Sequence, residues 1–169
     1  MVVYASRQRD LIVEQLRYPS ERIVVSTFAV DTSFWDRTRV DVDTRPLVCS
    51  AGLEYRDYPT LIEAARRLDV DVVLAAASPW SKRADRTGDV TLPSNVDVGR
   101  LDFVALRDLY AATEVVAVPL QQTDFQAGIT TILEAMAMGA AIVCTRTRGQ
   151  TDTIVDGVTG VYVEPGDVE

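Results

Sequence analysis

The sequence of 169 residues contains no histidine, and this absence excludes several kinds of catalytic site. Ser-His-Asp and Cys-His nucleophile systems need an imidazole base, and His-based zinc sites need an imidazole ligand. The sequence also lacks a Cys-x-x-Cys pair, a Gly-x-Gly-x-x-Gly fingerprint and a Walker lysine loop. An assignment as a hydrolase, an ATPase or a standard dinucleotide-binding protein is therefore weak from the start.

Lysine is nearly absent, since Lys82 is the only one and arginine supplies almost all of the basic charge, and the formal net charge is -8. A surface that binds nucleic acid needs basic residues clustered on one face, so this balance argues against a nucleic-acid partner. The first ten residues lack the apolar core of a signal peptide, and the longest apolar stretches, such as 135–144, are too short to cross a bilayer. We therefore expect a cytoplasmic protein with no membrane segment in this chain, and the alternative is membrane association through parts outside it. For Cys49 and Cys144 we expect buried, reduced thiols, with a disulfide as the alternative.

Short β-branched runs alternate with segments of helical period, and this pattern predicts an α/β fold with an open, doubly wound parallel sheet. The predicted strands are 47–50, 70–76, 95–98, 115–119, 140–145 and 161–163. The predicted helices are 59–68, 103–112 and 128–138, with a short helical turn near 151–156 and a loop at 85–89.

The first part of the chain has a different pattern. It contains one predicted helix at 6–18, one strand at 22–27 and a polar, turn-rich stretch at 31–45 that resembles a linker. We predict a boundary there, with the end of one domain and a linker at 1–45 and a second domain at 46–169. The second domain is expected to be truncated at its C-terminus.

Ligands of an open α/β sheet bind beyond the carboxyl ends of the strands, and three polar junctions qualify: 50–57, 120–131 and 145–152. In the second junction, Gly128 precedes a helix whose free N–H groups and dipole would suit a phosphate. This glycine either lets the backbone approach a ligand or only permits a turn. Glu134 lies two turns inside the helix among apolar neighbours, where a carboxylate should be paired or should bind something, such as the hydroxyls of a ribose.

The segment from Gln126 to Gly139, Gln-Ala-Gly-Ile-Thr-Thr-Ile-Leu-Glu-Ala-Met-Ala-Met-Gly, resembles the Glu-x7-Glu motif of the family 4 retaining glycosyltransferases, which are group 1, glycogen-synthase-like enzymes. Residues 149–167 resemble the next conserved segment of that family, and residues 26–35 resemble the bridge between its two domains. The resemblance covers nearly the whole chain in the right order. It implies the C-terminal, nucleotide-sugar-binding half of a GT-B fold, which is a Rossmann-like domain.

The resemblance implies roles for individual residues. Glu134 matches the second glutamate of the motif, which hydrogen-bonds the donor ribose. Gln126 occupies the place of the first glutamate, which faces the transferred sugar, so it is the candidate catalytic residue. Asp124 is a nearby carboxylate at a different spacing. The loop whose backbone N–H groups hold the diphosphate and sugar matches Ala127, Gly128, Ile129 and Thr130.

Further positions complete the predicted donor site. Arg56 fits the second member of a basic pair that the family places against the diphosphate, and the alternative is a solvated surface charge. Gly99 and Arg100 match the segment whose backbone meets the nucleobase. For Arg146 and Arg148 the favoured interpretation is ordinary surface charge.

The function implied by the resemblance is transfer of a sugar, with retained configuration, from a UDP-, GDP- or ADP-linked donor. No metal or other cofactor is implied, because basic residues and a helix N-terminus would neutralise the leaving diphosphate. The acceptor would bind through an N-terminal domain missing from this chain, so the isolated chain is expected to turn over little. One alternative is a non-catalytic nucleoside-diphosphate-binding module, favoured by Gln126 in place of a carboxylate. Another is a structural α/β domain used in assembly.

Overall fold

The β-branched runs form strands and the segments of helical period form helices, as predicted. The computed structural model describes residues 1–76 and 91–169, so the predicted loop at 85–89 lies outside the described residues. The strands are β1 Val2–Val3, β2 Val24–Val25, β3 Arg45–Ala51, β4 Asp71–Ala75, β5 Val96–Val98, β6 Thr113–Val118, β7 Ala141–Thr145 and β8 Val161–Val163. The α-helices are α1 Ser6–Leu16, α2 Tyr58–Ala65, α3 Phe103–Ala112 and α4 Ile129–Ala137.

Strands β3 to β8 form one parallel sheet in the order β5-β4-β3-β6-β7-β8. The chain first builds from β3 towards β5 and then returns to place β6 on the other side of β3. The strand order therefore reverses between β3 and β6, and such a switch point is where an open α/β sheet offers a crevice to ligands. The predicted open, doubly wound parallel sheet is confirmed.

Helices cover both faces of this sheet. Alternate strand residues point to opposite sides, and both sides carry apolar side chains that the helices bury. On one face, Cys49 and Val116 pack against Tyr110 of α3 and Ile132 of α4. On the other face, Val72 and Leu74 pack against Tyr58 and Ile62 of α2. Full burial of one such aliphatic or aromatic side chain contributes about 1.5–3 kcal/mol, so the two clusters fix the sheet between its helices.

Both cysteines lie in the core as free thiols, which confirms the expected reduced state. Burial raises the pKa of Cys49 and of Cys144 to about 12. They therefore act as small apolar side chains that fill the space beneath the helices.

Local sequence explains where the helices begin. Pro59 lies in the first turn of α2, where its missing N–H removes no helical hydrogen bond. The side chain of Asp102 caps α3 by accepting a hydrogen bond from Ala105 N at 2.8 Å. Gly128 precedes α4 with φ +76°, a conformation that few residues other than glycine adopt.

The residues before β3 are ordered by contacts with the sheet and with each other. β1 and β2 form a separate parallel pair. In the predicted linker, Trp35 and Val40 are buried in the α3 and α4 core, and the Trp35 ring lies 5.6 Å from that of Tyr110. No helix in the described part of the chain is long and apolar enough to cross a membrane.

Two local predictions are wrong. The predicted strand at 22–27 is reduced to the two residues of β2, because its partner β1 also has only two. The segment 151–156 forms no helical turn. Instead, Asp156 accepts a hydrogen bond from Tyr162 N at 2.9 Å, and Val155 N donates to Thr159 Oγ1 at 2.9 Å. The Thr159 side chain thus satisfies a backbone N–H of this segment, and the Asp156 side chain ties the segment to β8.

Candidate functional site

The three polar junctions predicted from the sequence lie side by side in the structure. They follow β3, β6 and β7, which are consecutive in the sheet, and neighbouring strands lie about 4.8 Å apart. Since the strand order reverses between β3 and β6, the loops at 52–57 and 119–128 border the ligand crevice expected of the fold. We call the region formed by these two loops the switch crevice.

Main-chain hydrogen bonds fasten the two loops of the switch crevice together. Asp57 N donates to Pro119 O at 3.0 Å, and Gln121 N donates to Tyr55 O at 2.9 Å. The side-chain amide of Gln121 also donates to Arg56 O at 3.2 Å. Tyr55 has φ +56°, an uncommon conformation for a residue with a side chain, and such strain concentrates at functional sites.

Arg56 lies buried beneath the switch crevice, and only 5% of it is exposed. Its guanidinium donates to Ala51 O at 2.9 Å, to Glu54 O at 3.0 Å and to Thr131 Oγ1 at 3.0 Å. All three acceptors are neutral, and among the described residues no carboxylate forms an ion pair with it. Burial lowers the pKa of Arg56 because it strips water from the cation. The alternative of a solvated surface charge is therefore wrong, because Arg56 is a buried cation whose hydrogen bonds go to neutral oxygens and whose electrostatic partners include the Glu54 carboxylate.

Thr131 was not predicted as a site residue, although it connects the Arg56 cation to α4. It lies in the first turn of α4 and is buried. Its hydroxyl accepts from Arg56 and lies 3.5 Å from Ala51 O. The guanidinium thus ties the carboxyl end of β3 to the first turn of α4.

The first turn of α4 presents N–H groups at the switch crevice. Within the described residues, the structure gives no hydrogen-bond acceptor to the N–H groups of Gly128, Ile129 and Thr130. Ala127 differs from them, because its N–H donates to Phe125 O at 2.8 Å. A side chain at Gly128 would place its Cβ 2.8 Å from Val118 Cγ1 and 3.3 Å from Arg56 Nη1. Glycine is therefore required by the internal fit, and the cation lies directly behind the helix N-terminus.

The candidate catalytic residue, Gln126, is buried next to this turn, and its side-chain oxygen has no partner among the described residues. Asp124, the nearby carboxylate, is engaged elsewhere. It accepts two hydrogen bonds from the Arg148 guanidinium, at 3.0 and 3.2 Å, and lies 3.8 Å from Arg7 Nε. A neutral amide, and not a free carboxylate, therefore occupies this end of the switch crevice.

Glu134 is half-buried on α4, two turns from its beginning. Burial raises the pKa of its carboxyl from 4.5 to about 7, because the charged form loses water. No described residue forms a hydrogen bond or ion pair with this carboxylate. A carboxylate held at such a cost without a protein partner is a candidate for ligand binding.

The remaining predicted residues lie further along the sheet edge. Gly99 and Arg100 follow β5, two strand positions from β3, and both are exposed. Arg146 pairs with Asp156 at 2.5 Å and with Glu164 at 3.5 Å. Arg146 and Arg148 are thus neutralised by carboxylates. Among residues 1–76 and 91–169, no group of His, Cys, Asp or Glu is arranged to hold a metal ion.

The segment 145–150, which we call the brace, supports the 119–128 loop from the side of β7. Thr145 Oγ1 accepts from Leu120 N at 3.0 Å, Gly149 N donates to Thr123 O at 2.9 Å, and Gln150 Nε2 donates to Ala127 O at 3.0 Å. Sequence reasoning did not predict that Gly149 and Gln150 contact this loop. The available signal was a glycine in a polar segment, which can mark close backbone approach.

Comparison with known proteins places this geometry in a family. A model described as glycosyl transferases group 1 matches residues 47–169. A search of curated proteins found no significant match. The fold is similar to that of a glycosyltransferase from Rickettsia africae ESF-5, with a TM-score of 0.82 and 18% identity, over 99% of this chain and 49% of that chain.

Two further structures have a similar fold. One is Anabaena Alr3699/HepE in complex with UDP-glucose, with a TM-score of 0.75 and 17% identity, over 99% of this chain and 50% of that chain. The other is the C-terminal domain of a group 1 glycosyl transferase, LpcC, from Francisella tularensis, with a TM-score of 0.58 and 19% identity, over 83% of this chain and 82% of that chain.

The chain spans about half the length of the Rickettsia and Anabaena proteins. The parallel sheet with its single order reversal is the Rossmann-like half of a GT-B fold. Because the family model covers most of the sequence, from β3 to the last residue, the chain belongs to the group 1 glycosyltransferases.

Proposed function

We propose that this chain is the donor-binding, C-terminal half of a retaining, metal-independent glycosyltransferase of family 4. It binds a UDP-, GDP- or ADP-linked sugar, and an N-terminal domain outside this chain binds the acceptor. The domain boundary lies near residue 45, at the end of the polar, turn-rich stretch at 31–45 that continues from the bridge-like residues 26–35. Family membership supports the reaction class, and the geometry of the switch crevice supports the residue roles.

The observation that carries the proposal is the buried Arg56 cation behind the first turn of α4. Burial strips water from this cation and lowers its pKa, so the fold retains the charge at a cost in stability. The free N–H groups of Gly128, Ile129 and Thr130, together with the helix dipole, add positive potential at the same place. A diphosphate bound there would place negative charge next to this cation and the free N–H groups.

The same arrangement stabilises the transition state. As the glycosidic bond to the donor breaks, negative charge develops on the leaving diphosphate, and fixed donors and cations lower the barrier without reorganising. Arg56 acts from behind the turn, and the N–H groups contact the phosphate oxygens. Gln126 faces the transferred sugar, Glu134 accepts hydrogen bonds from the ribose hydroxyls, and Gly99 and Arg100 lie at the nucleobase.

Titration calorimetry with UDP, GDP and ADP tests this proposal. We expect saturable binding of at least one nucleotide, weakened by more than about tenfold in Arg56→Met, because loss of a nearby buried cation removes an electrostatic attraction to the diphosphate of more than about 1.4 kcal/mol. Arg45→Met is the matched control, since Arg45 is an exposed arginine at the opposite end of β3. Absence of binding to a folded wild-type chain, or equal binding by Arg56→Met, contradicts the proposal.

A second candidate is a nucleoside-diphosphate-binding module without catalysis, favoured by the neutral Gln126 and by the pairing of Asp124 with Arg148. Gln126→Glu in the full-length protein separates the two. A large gain in sugar transfer means that glutamine disables the natural site. Unchanged or reduced transfer, from a wild-type protein that is already active, means that this site works with an amide.

A further inference from the structure

The brace contacts the 119–128 loop at the peptide group between Ala127 and Gly128. Gln150 is fully buried, and its Nε2 donates to the carbonyl oxygen of Ala127 at 3.0 Å. That carbonyl belongs to the same planar, trans peptide unit as the N–H of Gly128. In such a unit the C=O and N–H point in opposite directions. A hydrogen bond that fixes the carbonyl therefore also fixes the direction of the Gly128 N–H.

This peptide needs to be held because glycine follows it. Gly128 has φ +76°, and glycine populates positive and negative φ with similar ease. Rotation of the peptide between Ala127 and Gly128 would turn the N–H away from the switch crevice. The Gln150 amide opposes this rotation.

Gln150 is itself held rigidly. Its N–H donates to Thr147 Oγ1 at 3.2 Å, and its carbonyl accepts from the Tyr162 hydroxyl at 2.8 Å. The neighbouring Gly149 approaches Phe125 so closely that a Cβ would lie 2.2 Å from its carbonyl oxygen. The brace is thus anchored to β8 on one side and packs against the 119–128 loop on the other.

The Gln150 side chain is retained despite an unfavourable feature. Its Oε1 is buried without a hydrogen-bond partner among the described residues, and an unsatisfied buried oxygen costs free energy. An apolar side chain of the same length would avoid this cost. The hydrogen bond donated by Nε2 is what an apolar side chain could not provide.

We propose that Gln150 is a positioning residue that aims the Gly128 N–H at the diphosphate of the donor, an inference that rests on the proposed function. Gln150 does not touch the ligand, since it is buried behind the loop. It acts through the peptide between Ala127 and Gly128.

The test is Gln150→Met, which keeps the length of the side chain and removes the donor. We expect affinity for the best-binding nucleoside diphosphate to fall about tenfold, while affinity for the same nucleoside without phosphates changes by less than about twofold. A merely structural role would weaken both ligands alike. Gln15→Met is the matched control, because Gln15 is exposed on α1.

A second variant and a spectroscopic measurement keep the test decisive if Gln150→Met does not fold. Tyr162→Phe removes the hydroxyl that holds Gln150, and we expect a smaller loss confined to the diphosphate. In nitrogen-15 spectra, the Gly128 amide should shift strongly on addition of the diphosphate to wild type and weakly in Tyr162→Phe. Diphosphate binding by wild type that is unchanged in these variants overturns this inference alone. Failure of wild type to bind any nucleoside diphosphate overturns the proposed function and this inference together.

Discussion

Replacing Glu134 by glutamine should stabilise the unliganded chain and weaken its binding of donor. The carboxyl is half-buried without a partner among the described residues, and its pKa rises from 4.5 to about 7 because burial penalises the charged form. Between these two pH values the folded chain holds a proton that the unfolded chain has lost. Stability from this group is therefore highest below pH 4.5, falls as the pH rises towards 7, and stays low above it.

The size of the effect follows from the shift. One pKa unit corresponds to about 1.4 kcal/mol, so the full shift would correspond to about 3 kcal/mol. The carboxylate is partly exposed to solvent, and screening reduces the expected penalty at pH 8 to about 1–2 kcal/mol. Glu134→Gln should remove this penalty at pH 8 and stabilise the chain much less at pH 5, where the folded carboxyl is still protonated and only part of the penalty has developed.

Urea unfolding at pH 5 and pH 8 measures the stability, with Glu114→Gln as the control. Glu114 is exposed at the start of β6, at the edge of the sheet opposite the switch crevice. Nucleoside-diphosphate affinity measured at the same two pH values should be higher at pH 8 for wild type, because the ionised form accepts the ribose hydroxyls. In Glu134→Gln the nucleoside-diphosphate affinity should be weaker, and ionisation at position 134 should no longer affect it. If Glu134→Gln changes the free energy of unfolding equally at both pH values, burial does not penalise the charged form of Glu134.

Three other predictions concern the brace, the core thiols and the surface arginines. Gly149→Ala should destabilise the chain by about 3 kcal/mol in urea unfolding, because its Cβ would overlap the Phe125 backbone. Gly99→Ala is the control and should change stability little, because the space at its Cβ is open. Similar effects of the two substitutions would contradict the close packing of Gly149 against Phe125. Cys49 and Cys144 should react with a thiol reagent only as fast as the chain unfolds, and rapid labelling of the native chain would show that their burial is wrong. Arg148→Gln should change stability by less than about 1 kcal/mol and leave nucleotide affinity intact, since it breaks an exposed ion pair; a large loss of affinity in calorimetry would make Arg148 a phosphate ligand.

The periodic part of the sequence was sufficient to predict the sheet and the helices that flank it. Alternation of β-branched and amphipathic segments predicted every strand from β3 to β8, and α3 was predicted with its observed bounds. These patterns reflect burial on one face of a helix or on both faces of a strand. Burial in the core is also what determines where these helices and strands form, so the predictions succeeded. The segment 151–156 has no such pattern, and its turn depends on Asp156 contacts with residues further along the chain.

The candidate site was predictable in position and less so in detail. The rule that ligands bind beyond the carboxyl ends of strands located the three junctions that the structure brings together. The sequence could not show that Arg56 points inward beneath the switch crevice, because burial of an arginine in a loop depends on the neutral oxygens that the fold places around it. It could not show the role of Gln150 either, since the contact with Ala127 joins residues 23 positions apart across neighbouring strands.

The most direct test of the central claim is a crystal structure of the chain with the nucleoside diphosphate that it binds best. We predict phosphate oxygens within hydrogen-bonding distance of the N–H groups of Gly128, Ile129 or Thr130, with Arg56 directly behind them and the ribose on Glu134. A phosphate held instead by exposed arginines such as Arg148, with the first turn of α4 empty, would contradict it.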